Sequence, residues 1–371
     1  MSAPTPPTYP PVPPSGPSGP PQDPAYRRTR EHGGRSAERP GRLGDLFLAE
    51  LHRFSARRFL RWLLGLAVLG YVVVVPVVGL TQFAKTDDTV LAQARAEVAR
   101  IVAEQNRYRE ECLKQTPPPG MTAEEACPPV ANPADYPVDQ FLPKRPFVLA
   151  DALQPGSLAV GVAVAALLFV VGATWIGAEW SARTMMALLF WETRRLRVLA
   201  VKSAVLVLVA AVFATLAQLA WVVTARGLAA ARGTAAGLPK GFWTDVAQVG
   251  ARTVLLGVVV ALLGMAVAHL IRGTGAALGV GFVYFVVVEN AVGIFRPGWR
   301  EWLLSTNAAA LVLKGGTTVS VPSRTIDQTN GQVTEFVEKN VSNLHGGLVL
   351  GGVALALLVV GGWLFRRRDL T

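Results

Sequence analysis

The sequence predicts an all-α protein that crosses a membrane six times, and three observations carry that prediction. The 371-residue chain is 51% hydrophobic but only 16% charged, against about 25% charged in soluble domains, and its mean hydropathy is +0.37. Six stretches reach the roughly 20 apolar residues that a helix needs to cross ~30 Å of hydrocarbon: Trp62–Phe83, Gly156–Ala178, Ser203–Ala225, Thr253–Ile271, Thr274–Phe295 and Gly346–Phe365. These stretches are nearly free of charge. The first, second, third and sixth hold no Asp, Glu, Lys or Arg, the fourth only His269, and the fifth only Glu289.

Residues 1–42 precede the first span and are Pro-rich, with 12 Pro in the first 40. Such a stretch buries too little apolar surface to offset its ordering entropy, so it reads as a disordered tail with polyproline character. Residues 43–61 follow as an amphipathic interfacial helix. Leu43, Leu46, Phe47, Leu51, Phe54 and Phe59 recur at helical spacing, and Arg53, Arg57, Arg58 and Arg61 supply heads for anionic lipid. The segment 84–155 is long enough for a small helical unit ended by "TPPPG". It carries the chain's two cysteines, and on an oxidising face Cys112 and Cys127 would close a loop. The fourth and fifth spans, separated by Arg272 and Gly273, form a tight helical hairpin. Residues 296–345 make a second sizeable segment, in which "RPGWREWLLSTNAAALVL" reads as a short amphipathic helix and "TTVSVPS" and "GQVTEFVE" as a β-hairpin. Gly275-x-x-x-Gly279 and Gly347-x-x-x-Gly351 offer close helix approach.

Basic residues set the expected orientation. Taking residues 46–61, 179–202, 272–275 and 366–371 as the inner flanks places 13 Lys or Arg there, roughly twice the density of the other flanks, which favours both termini inside. The segments 84–155 and 296–345 are then extracytoplasmic, and 366–371 is a basic cytoplasmic tail. All nine Trp fall near span ends or in connections, as an interfacial belt requires. The net charge of +11 therefore points to membrane lipids and away from nucleic acid. Abundant Arg, Ala, Gly and Val fit a GC-rich bacterial genome, and hence the bacterial plasma membrane.

Catalytic chemistry is not apparent. The sequence lacks H-E-x-x-H, G-x-S-x-G and G-x-x-x-x-G-K-[ST], so the chain is expected to hold no metal and no nucleotide and not to be an enzyme. Glu289 and Asn290 form the one strongly polar pair well inside a span. An intramembrane carboxylate is costly, so the pair either lines a pathway or makes structural hydrogen bonds.

The segment 179–202, "EWSARTMMALLFWETRRLRVLAVK", carries the most information. Met185, Leu188, Leu189 and Leu196 can form one helical stripe, with Arg194, Arg195 and Arg197 gathered near one end. The approach helix "AELHRFSARR", the first span, a sizeable outer segment and a second span ending in "GAEWSARTMMALLFWETRRLRVLAVK" together resemble the permease subunits of ABC transporters of the type-2 exporter class. The resemblance covers residues 43–371, and its specific part is Glu179, Thr184, Leu188, Leu189, Arg194, Arg195 and Lys202. It implies that 179–202 is a cytoplasmic coupling helix seated on a separate ATP-binding subunit. Glu179 would orient the end of the second span, and the residues from Arg183 through Trp191 to Arg197 would touch the cassette. ATP and Mg²⁺ would be held by that partner, and the permease would pair with a second copy or a related chain. Two departures stand out: Arg183 replaces the family's usual Gly before the Thr, and no Pro lies near Trp191. The alternative is a non-transporting membrane scaffold or sensor whose extracytoplasmic segments bind a ligand.

Overall fold

The computed structural model describes residues 43–185, 194–327 and 331–367. The chain divides into two units, Met1–Leu46 and Phe47–Thr371. Of the first, the described part is Leu43–Leu46, the opening turn of helix α1 (Leu43–Ala56). The Pro-rich tail to residue 42 and residues 368–371 of the basic tail lie outside the described residues.

In the second unit α1 runs on to Ala56, and after a break at Arg57 the first span, α2 (Arg58–Gln82), begins. A long helix α3 (Asp88–Leu113) and a single turn α4 (Ala123–Ala126) follow. Strand β1 (Phe147–Val148) leads into α5 (Leu149–Ser181), and α6 (Arg195–Arg232) runs into strand β2 (Gly233–Thr234). Next come α7 (Phe242–Ile271), α8 (Thr274–Val283), one π-helical turn (Tyr284–Val288) and α9 (Glu289–Phe295). A 3₁₀ turn (Pro297–Trp302) and α10 (Leu304–Val312) precede strands β3 (Thr317–Asp327) and β4 (Gly331–Val341), and α11 (Asn343–Arg367) closes the chain. Among the described residues six helices are long and apolar enough to cross a membrane, Thr274–Phe295 counting as one. The protein is a multi-pass membrane protein.

Successive spans run up and down. At one end, the basic end, Arg57 meets Glu179, Trp180 meets His269, and Arg195 meets the carbonyl of Phe365. At the opposite end Gly79 abuts Leu228, and Asp245 meets Lys314. There β1 also pairs parallel with β2, Phe147 opposite Gly233. A Cβ on Gly233 would lie 1.9 Å from the carbonyl oxygen of Phe147, so this pairing demands glycine.

Most helices extend past the stretches marked by hydropathy. The second span begins at Leu149 rather than Gly156, with Pro155 inside it, and the third runs from Arg195 to Arg232 rather than from Ser203 to Ala225. The fourth starts at Phe242, which brings Arg252 inside the helix. Hydropathy marks only the hydrocarbon-buried portion, whereas hydrogen-bonded helix continues through polar ends that have partners. Arg226, for example, lies over the Trp243 ring at 5.1 Å.

Helices α5 and α7 form the centre. A Cβ on Gly172 would sit 2.0 Å from the Ala261 carbonyl oxygen, and one on Gly264 2.2 Å from that of Phe169. Each glycine thus admits the other helix's backbone, the closest packing available in a membrane. The glycine pairs picked from sequence do not do this. Gly275, Gly279 and Gly351 have nothing within 4 Å, and Gly347 meets only a Leu311 methyl. Spacing reports which glycines share a face, not whether a helix lies against it.

In the segment between α2 and α5, Cys112 and Cys127 are joined, their Cα atoms 5.8 Å apart. Asn106 grips Ala131 in both directions, accepting from its N–H at 3.0 Å and donating to its carbonyl at 3.1 Å. Thr122 and Glu125 form a capping box on α4. The expected helix over 296–313 is split at Leu303 into the 3₁₀ turn and α10. The hairpin β3–β4 is antiparallel, with Thr317 opposite Val341 and Asp327 opposite Gly331.

Two outcomes test this packing. Gly172→Val forces α5 and α7 apart and should cost about 3 kcal/mol, at the upper end of overpacking penalties, read as a lowered melting temperature in detergent; an unchanged melt would refute the interlock. Wild-type protein should shift mobility on reduction in a denaturing gel while Cys112→Ser does not, and the variant should lose about 3 kcal/mol of stability in that segment, as expected for a loop of 15 residues.

Candidate functional site

The feature that distinguishes this bundle is a group of charges buried at its basic end. Glu50 (α1) and Lys202 (α6) are both 0% exposed, and Glu179, in the last turn of α5, is 5% exposed. The Lys202 ammonium donates to both carboxylates, to Glu179 Oε1 at 2.9 Å and to Glu50 Oε2 at closer range. Arg57, at the break between α1 and α2, donates Nη2 to the same Glu179 oxygen at 2.6 Å and Nη1 to the Trp175 carbonyl at 3.0 Å. Half-exposed Arg53 caps the remaining Glu50 oxygen at 2.7 Å.

Local sequence explains how each group arrives. Glu50 is one turn from Phe47 and Phe54, so it lies within the apolar stripe of α1, and Phe54 carries it inward by packing on Trp175 at 5.0 Å between ring centroids. Residue 57 is not helical (ψ 111°), which swings its guanidinium off the helix axis and across α5. The Trp175 ring is close to both cations, its centroid 4.6 Å from the Arg57 guanidinium carbon and 4.7 Å from Lys202 Nζ. Each such contact contributes about 2 kcal/mol when water is excluded.

The charges balance, two carboxylates against Arg57 and Lys202, with Arg53 at the edge. Burying any one alone would cost several kcal/mol, and mutual pairing offsets that cost. The cluster therefore works as a fastener: α1, α2, α5 and α6 are joined through groups that cannot separate without stranding a charge.

Glu179 and Lys202 were expected within a surface-lying coupling helix. Instead, Glu179 completes the second span and Lys202 lies two turns inside the third, and what lies between is much shorter than 179–202. Arg183 adopts the left-handed region (φ 56°) and Thr184 donates back to the Glu179 carbonyl at 3.4 Å. Arg194 immediately precedes α6 and Arg197 is in its first turn. Arg195 donates to the Phe365 carbonyl at 2.7 Å and lies over that ring. Leu188, Leu189 and Trp191 lie outside the described residues. The expected stripe does not share one environment, because Met185 is buried and Leu196 exposed. Met185 follows the end of α5 and Leu196 lies in α6, a separation that a single helical projection of the sequence cannot register.

No protein-family model matches this chain, and no curated protein matches it either.

The approach helix also differs from expectation. Its Phe54 and Arg57 face protein, not acyl chains and lipid phosphates, and Trp175 belongs to the core rather than to an interfacial belt. Glu50, Arg57 and Trp175 were not picked out from sequence as site residues. The signal was a carboxylate on an apolar stripe together with a lysine at the head of a chargeless span.

At the opposite end of the bundle, Glu289 is buried and accepts the Ser305 N–H at 3.0 Å, holding the start of α10. Its neighbour Asn290 is exposed and donates to the Val286 carbonyl of its own helix at 3.0 Å. The pair thus splits, one member inward and one outward, each making a structural hydrogen bond. Among the described residues no group of three His, Cys, Asp or Glu side chains is placed to hold a metal ion.

Lys202→Met removes the buried cation shared by Glu50 and Glu179, leaves each with one partly exposed partner, and should cost about 3 kcal/mol, the lower end for a broken buried pair. The double variant Glu50→Gln/Lys202→Met should recover part of that loss, and thermal unfolding in detergent reads both. A Lys202→Met protein as stable as wild type would show that the cluster fastens nothing.

Proposed function

We propose that this chain is the membrane-spanning permease subunit of an ATP-driven exporter of the ABC type-2 class, working as a homodimer or beside a related permease. It has no nucleotide-loading motif of its own, and ATP and Mg²⁺ belong to a separate cassette subunit. The observation that carries the reading is that Glu179 and Lys202, which bracket the segment 180–201, are bonded to one another and to the approach helix. A push on that segment is then felt at once by the second span, the third span and, through Arg57, the first. Three positive residues lie within the segment: Arg183 and Arg194, both exposed, and partly exposed Arg197. They suit an acidic protein surface.

Orientation belongs to the same proposal. Both termini face the cytosol, as the density of Arg at the basic end favours, and the disulfide-bonded segment faces an oxidising exterior. The membrane is then the bacterial plasma membrane. A competing reading, a sensor or scaffold with ligand-binding outer segments, draws on the same disulfide-bonded segment but gives the buried cluster no task.

The experiment is co-purification of the tagged full-length chain from its native cells with an ATP-binding cassette subunit. Arg183→Glu/Arg194→Glu should reduce recovery of the cassette at least tenfold, about 1.4 kcal/mol or more, in protein that still unfolds cooperatively in detergent. Undiminished recovery, or the absence of any cassette partner, would overturn the proposal.

A further inference from the structure

Between α2, α5 and α6 lies a cleft of about 1010 Å³, at the upper end of the ~300–1,000 Å³ typical of small-molecule sites. Val68 and Tyr71 of α2, Val164 and Leu167 of α5, and Phe213 and Leu216 of α6 are among its lining. The cleft is not the gap left by a loosely attached helix, because α2 is held at both ends. At the basic end Leu60 is 1% exposed and Arg57 is bonded to Glu179. At the other end Gly79 is so close to Leu228 that a Cβ would lie 2.6 Å from its methyl. In between, Gly65 and Gly70 have nothing within 4 Å. The helix is pinned at its ends, and near its middle Tyr71 reaches across to Thr224 of α6 while Gly65 and Gly70 stand clear.

We propose that this cleft binds one long hydrocarbon chain, the tail of a membrane lipid entering sideways from the bilayer. Depth is the first argument: the lining belongs to the central parts of three spans, reachable only by molecules already dissolved in hydrocarbon. Chemistry is the second. The hydrogen-bonding side chains in the lining, Tyr71 and Thr224, satisfy each other, the phenol donating to the hydroxyl at 3.1 Å and the hydroxyl donating to the Ala220 carbonyl at 2.8 Å. That leaves nothing to recognise a sugar, a phosphate or a charge. Length is the third. On α2 the lining runs from Ala67 to Pro76, about 14 Å at 1.5 Å per residue, close to half of a ~30 Å hydrocarbon core. That matches a tail from one leaflet. The inference needs only the fold and is separable from the export reading; if both hold, the exported molecule carries such a chain.

The test uses the full-length chain in phosphatidylcholine vesicles doped with a phosphatidylcholine bearing a mid-chain diazirine. The vesicles are irradiated and the adducts mapped by peptide mass spectrometry. Adducts should concentrate on the cleft residues about fivefold over the exposed Phe282 and Phe285, as a shaped site outcompetes an open surface. Ala163→Trp, which fills the cleft, should lower the cleft adducts by a similar factor and leave those on Phe282 unchanged. Ala217→Trp, from the opposite wall, repeats the test should the first variant fail to fold. Even labelling over all exposed spans, labelling indifferent to both substitutions, or cross-links between two copies at the cleft would each overturn the proposal.

Discussion

The structure depends on an electrostatic constraint: a lysine buried in a membrane protein must be paired. Lys202 is paired twice, and its two carboxylates come from segments about 150 and 23 residues earlier in the chain. Hydrophobic burial cannot organise helices in a bilayer as it does in water, because lipid tails are as apolar as leucine. Packing detail and polar bonds must do so instead. At the centre of the bundle that detail is glycine on backbone between α5 and α7. At the basic end it is charge on charge, which with Phe54 and Leu60 packed into the core brings in α1 and the start of α2. Remove the charges and α2 retains few other holds along most of its length.

The six crossings were legible because hydrocarbon thickness sets a length that composition must meet, and a window of apolar residues reports it directly. The disulfide partners were legible because there were only two cysteines to pair. Helix ends were not, since Arg195, Arg226 and Arg252 look like terminators until their surroundings are known. Nor was the cluster. Glu50, Arg57, Trp175, Glu179 and Lys202 lie on three separate stretches, and no period within any one of them encodes the meeting. Read locally, Arg57 is a lipid anchor, Trp175 a belt residue and Glu179 and Lys202 the ends of a surface helix, while Glu50 carries no role at all. The three-dimensional arrangement replaces those local roles with one shared role.

Glu289 and Asn290 show the same point at the other end. A polar pair within a span invites a pathway reading because solvation in lipid is so costly. Here a backbone N–H from the next helix and a carbonyl of the same helix satisfy the two side chains separately. Being adjacent in sequence places two residues about 100° apart around a helix, which is enough to send one inward and the other out.

The reciprocal glycines of α5 and α7 carry a mechanical consequence. Two helices that touch backbone to backbone have no flexible side chains between them to absorb sliding, so they transmit displacement as a stiff beam does. A tilt imposed at Glu179 would therefore arrive at Leu149 nearly undamped. There the Phe147–Gly233 pairing ties that beam to the exit of the third span. Whatever bears on the basic end moves the far rim in the same stroke, and the first span, clasped at its extremities and bridged between them by Tyr71 to Thr224, is the part left to bow.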